Sequence, residues 1–232
     1  MTVRRSPWRL ARFTLAITVA LIIISGVLYP GGNIADNSAP GYSFSRNFLS
    51  DLGGTVAING RSHRLGAMIF AGALIISVLV LAGLFVGTIR VLSSEPRAVL
   101  FARLAAVAGA LTCIGYIGVA LAPIDRGHDL HMLTTMVANR SFPVAAAFLA
   151  IGTSRDPRFR SRATVGWVAL LCVLAIFIAI GHLGPGVDTT RGLIIQVLTQ
   201  KAMAAGVLIS LWTASREGEL AVMLAPPRAA AI

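Results

Sequence analysis

The sequence predicts an all-α integral membrane protein: one domain over residues 1–232, a bundle of six transmembrane helices with both termini cytoplasmic. Three observations lead there. The 232 residues are 56% hydrophobic and 12% charged, with a mean hydropathy of +0.80; a soluble domain carries about twice that share of charge. Six windows are apolar over the roughly 20 residues that a helix needs to cross a bilayer. The charges between those windows are strongly basic on one side and balanced on the other.

The windows are 11–29, 64–89, 99–122, 130–152, 163–183 and 191–213, with one long outer loop at 30–60. Turn residues punctuate them: Pro30-Gly31-Gly32 after the first, Glu95-Pro96 before the third, Pro123 after it, and Gly184-Pro185-Gly186 after the fifth. The basic N-terminus has no small-x-small cleavage site behind its apolar run, so the first window is expected to stay as a helix. Cys113 and Cys172 both lie in apolar runs and make neither a disulfide framework nor a metal motif.

With the N-terminus inside, thirteen arginines and four acids fall on the cytoplasmic side, against five arginines and five acids outside. The net charge of +11 is therefore a topology signal and no nucleic-acid footprint. The expected location is the cell inner (plasma) membrane, multi-pass. The expected partner is membrane lipid with an anionic headgroup.

The polar residues that break the pattern gather on one side. Asp125, Arg126, His128, Asp129 and His131 crowd the entrance to the fourth window, and His63 and His182 also fall at outer helix ends. A polar helix entrance is the plain structural reading of any one of them. The fourth helix, however, continues His131 inward through Thr135 and Asn139 at four-residue steps, a stripe that must face protein or water. Arg140 and Lys201, the one lysine, each lie about 15 Å into a span at 1.5 Å per residue. No acid lies in any span. A central cation costs about 2.5–3.5 kcal/mol on insertion scales, so each needs an acceptor. Gln196, Gln200 and the carbonyl freed by Pro143 are internal candidates; an anionic ligand in an outward cavity shared by both cations is the other.

Within the outer loop, YSFSRNFLSDLGG reads as a short interfacial helix, capped by Ser43 or Ser45 and ended by Gly53. Phe44, Phe48, Leu49 and Leu52 form its apolar face, which places Asp51 near the Asp125–His131 cluster. The segment Asn47-Phe48-Leu49-Ser50-Asp51-Leu52-Gly53 resembles the signature of the prokaryotic six-helix family called domain of unknown function 998, itself distantly similar to the Frag/DRAM/Sfk group. Pro123-Ile124-Asp125 with a following His, and Gln200-Lys201 with Trp212, are similar to two shorter motifs of that family, although Lys201 stands where Arg is expected. The resemblance implies a six-helix fold with a polar outer site and no particular reaction.

Three functions follow. The first is binding or handling of an anionic lipid or lipid-linked substrate, with Asp51, Asp125, His128, His131, Asn139, Arg140, Gln196, Gln200 and Lys201 as ligand-binding candidates and no cofactor. The second is a zinc-dependent intramembrane lipid hydrolase, with the metal on His63, His128, His131 and His182. This set is loosely similar to that of alkaline-ceramidase-like hydrolases but lacks their paired late histidines. The third is a non-catalytic accessory subunit. Catalysis, protein partners and oligomeric state stay open at this point.

Overall fold

A computed structural model describes residues 7–93, 95–159 and 161–224. Six helices are long and apolar enough to cross a membrane: α1 (Pro7–Val27), α2 (Arg64–Leu92), α3 (Val99–Leu121), α4 (His128–Arg155), α5 (Ser161–Leu183) and α6 (Thr190–Leu224). Pro7 opens α1, where its missing N–H is no loss. Asp156 stops α4: its buried carboxylate accepts the Arg158 N–H (3.0 Å) and guanidinium. Arg158 in turn donates to the Val91 carbonyl at the end of α2 (2.7 Å), which ties the α4–α5 turn to the bundle.

Each helix packs on its chain neighbours, and α6 returns to α1 and α2, closing a ring. The membrane-facing surface carries large apolar side chains such as Phe13, Ile23, Met68 and Val107. The interior mixes leucines and aromatics such as Leu84, Phe142 and Trp167 with many small residues. Hydrophobic driving force between helices is weak in lipid, so close backbone approach must hold them. The α3–α4 interface is the most extensive. Ala102, Ala105 and Ala108 of α3 and Ala138, Ala145 and Ala146 of α4 are buried, and a Cβ on Gly115 would lie 2.6 Å from the Ala138 nitrogen. Thr112 and Ser141 share a 2.9 Å hydrogen bond across that interface while each also bonds its own helix.

Six spans bring both ends to one face. There Arg9 (2.9 Å) and Arg12 (2.8 Å) of α1 pair with Glu219 of α6. The hydrogen bonds from Arg12 and Arg9 hold that carboxyl below its usual range. The opposite face is closed by the 30–63 segment, called the cap below. Its first part is a two-stranded antiparallel hairpin, β1 (Gly31–Asn33) with β2 (Asp36–Pro40), which the periodicity of the sequence does not announce. Gly31 and Gly32 adopt φ of 133° and 85°, and a Cβ on Gly32 would sit 2.5 Å from the Asn59 nitrogen.

Candidate functional site

The cap motif folds on itself before it meets the bundle. The expected Ser-capped α-helix is instead a 3₁₀ turn, Leu49–Gly53, whose preceding residue is Phe48. Asn47 and Asp51 supply the polar groups at its start. Asn47 is fully buried; its side-chain oxygen accepts the Ser43 N–H (2.9 Å), and its amide donates to the Gly32 carbonyl (2.8 Å) and to Asp51 Oδ2 (3.0 Å). The same Asp51 oxygen accepts the Phe48 N–H (2.9 Å). Three residues suffice for this closure, so the chain needs no longer helix. Leu52 goes fully under the cap onto Tyr29, Ala57 and Phe70, and Leu49 is half-buried. Phe44 does not join them; it stays 67% exposed.

Two distant segments clamp this turn. From α6, Gln200 Oε1 accepts the Leu49 N–H (2.7 Å), and Lys201 Nζ donates to the Asn47 carbonyl (2.5 Å). The ammonium also lies 5.3 Å from the Tyr42 ring and 5.1 Å from the Phe44 ring. From the α3–α4 turn, Asp125 accepts the Thr55 N–H (2.8 Å) and hydroxyl (2.6 Å), and Arg126 donates to the same hydroxyl (3.0 Å). Partial burial raises the Asp125 carboxyl, but the two Thr55 bonds outweigh it and leave it below its usual range. Asn47–Gly53, Asp125 and Gln200–Lys201 thus meet at the cap, while Trp212 lies between α1 and α6, and Thr55, which no local pattern marks, is the residue that joins Asp125 to the cap.

The expected cavity shared by Arg140 and Lys201 is not formed. Lys201 is only 8% exposed and is spent on the cap. Arg140 lies on the exposed side of α4, and α4 and α6 are not ring neighbours. A backbone carbonyl, rather than an anion, answers the lysine. His131 is likewise internal: it is buried, with Nδ1 2.8 Å from the Ala122 carbonyl, and fastens the α3–α4 turn. Gln196 donates to the Ile180 and Pro185 carbonyls (2.9 and 3.1 Å), and Asn139 accepts from Tyr116 (3.4 Å). His128 and His182 are exposed, whereas His63 is buried edge-on to Tyr29. Burial holds the His63 imidazole toward its neutral form. Among the described residues no three His, Cys, Asp or Glu side chains are grouped to hold a metal ion. The four-histidine zinc set therefore does not converge, because its members occupy separate helix ends.

Asp51 is the titrating group of this site. Burial raises its carboxyl above the usual range, against the opposing pull of Asn47, Phe48 and Lys201. A folded-state pKa above the unfolded one gives stability that is full below the unfolded value and is lost as pH rises through the folded one. The contribution of Asp51 to stability should therefore fall as pH rises above about 4, the ordinary carboxylate value, while that of the neutral His63 runs the other way. In Asp51→Asn that dependence should flatten. Identical pH slopes for the two proteins would show that Asp51 is not its source.

These contacts define a class: a six-helix membrane protein whose first loop is locked onto one face of its bundle by side chains from the α3–α4 turn and α6. The sequence profile of the family described as Protein of unknown function (DUF998) matches residues 23–213, which contain all three motifs, and the chain belongs to that family. No curated protein and no solved structure matches the chain.

Proposed function

We propose that this protein binds the anionic headgroup of a lipid or lipid-linked substrate from its capped face, with the cap on the outer side of the plasma membrane and Arg140 as the receiving charge. Arg140 itself is the observation behind this reading. It lies about 18 Å along α4 at 1.5 Å per residue, is exposed, and has no hydrogen bond or ion pair among the described residues. The other candidates, His128 apart, are held by protein groups. The surroundings support an approach between α4 and α5. The two helices share buried core along their other half and the Thr153–Thr164 hydroxyl contact (3.1 Å), whereas residues 181–189, at the end of α5 and beyond it, are exposed. Half-buried Thr135 and Asn139 precede Arg140 along α4, and Pro143 leaves the Asn139 carbonyl without its helical donor.

The test is Arg140→Met, which keeps length and apolar bulk. Removing a mid-span cation relieves an insertion cost of about 2.5–3.5 kcal/mol, so the variant should fold and melt no lower than wild type. Native mass spectrometry of protein extracted in mild detergent should show a bound anionic lipid on wild type and a several-fold smaller share on the variant. Equal retention by both would overturn the reading, as would a protein partner in place of the lipid.

A further inference from the structure

We propose a second, separate lipid site: a groove between α1 and α6 that takes one acyl chain of an anionic phospholipid, with its phosphate on the arginines at the end of the groove. The groove has a volume of about 290 Å³ and is lined only by Leu15, Ala16, Val19, Leu208, Ile209 and Trp212. Both walls are membrane-spanning helices, so the groove opens to hydrocarbon.

What identifies the occupant is the charge at one end. Arg12 stands three and four residues before Leu15 and Ala16, hence on the same face of α1. Arg216 stands four residues after Trp212, on the same face of α6. Arg12 crosses to α6 there, donating to Glu219 (2.8 Å) and to the Ser215 hydroxyl (3.5 Å), which floors the groove. Arg9 pairs with the same Glu219 and is 65% exposed, and Arg216 is exposed with no partner among the described residues. Three guanidinium groups against Glu219 and the buried Glu217 leave a net positive mouth at the end of an apolar slot. That is the charge and shape complement of a phosphate joined to an acyl chain. A zwitterionic lipid fills the slot but brings its own cation to the mouth.

This site lies on the face that carries the chain ends and does not depend on Arg140. The experiment offers purified protein in detergent an equal mixture of phosphatidylglycerol and phosphatidylcholine of the same chains and reads bound lipid by native mass spectrometry. Wild type should prefer phosphatidylglycerol. Arg216→Ala should reduce that preference by about five-fold, the weight of one basic side chain near an anionic surface. Ile209→Trp, which fills the slot from an exposed position, should reduce retention of both lipids. Arg140→Met should leave the Arg216-dependent part of the preference intact, which separates this site from the other. Equal binding of the two lipids by wild type, an unchanged preference in Arg216→Ala, or a second copy of the chain in place of lipid would each overturn the proposal.

Discussion

Asn47→Ala is expected to free the cap and to lower stability by about 2–3 kcal/mol, because it removes one buried and two part-buried hydrogen bonds at about 1 kcal/mol each. The Gly32 carbonyl and the Ser43 N–H lose this partner at once, and Asp51 keeps only the Phe48 N–H. The Gly32 bond is the fully buried one of the three and carries the largest share of the loss. The loss spreads: without its cap the 3₁₀ turn no longer holds the Asn47 carbonyl and Leu49 N–H toward Lys201 and Gln200. Lys201 is then a buried cation without an acceptor, a further cost. Two measurements check this. Unfolding in detergent should shift by the stated amount, and trypsin should cut at the exposed Arg46 much faster than in wild type. Asn47→Asp should be no milder, since it keeps the acceptor for Ser43 but sets a second carboxylate against Asp51. A loss under about 1 kcal/mol with an unchanged cutting rate would mean that the cap is held by its apolar contacts alone.

Gly115→Ala should cost about 1–3 kcal/mol by overpacking, and Gly115→Leu should cost more and separate α3 from α4. The added Cβ would lie 2.6 Å from the nitrogen of Ala138 and 2.9 Å from its Cα and Cβ. Backbone cannot rotate away as a side-chain tip does, so the helices themselves must part, along their most extensive interface. The comparison is Gly72→Ala on α2, where a Cβ meets nothing within 4 Å. That change should be neutral or stabilising by up to about 1 kcal/mol through helix propensity. Ala138→Gly should restore part of the Gly115→Ala loss, as coupling between touching residues requires. Equal melting temperatures for the Gly115 and Gly72 variants would refute close packing as the basis of the interface.

The six helices were legible because hydropathy over some twenty residues depends only on neighbours in the chain. The breaks at Glu95-Pro96 and Pro123 were legible for the same reason, whereas α1 starts four residues before its window and α6 runs past its window's end at 213 to Leu224. So was the existence of a docked cap, since Leu49 and Leu52 needed an apolar partner. The partners were not legible. A sequence read as a string of side chains finds no acid for Lys201 and infers a foreign anion. The structure supplies the Asn47 carbonyl, 154 residues away along the chain. Every residue carries such a carbonyl, so nothing in the letters distinguishes this one. It becomes an acceptor because Asn47 and Asp51 close a turn that points it at α6. Thr55 and Ala122 were invisible as partners of Asp125 and His131 for the same reason, and the Gly31–Pro40 hairpin was too short to show a period. Arg140 is the converse case. Its oddness is plain in the sequence, but only the ring order of the helices, with α4 and α6 apart, separates it from Lys201 and leaves it exposed with no acceptor among the described residues.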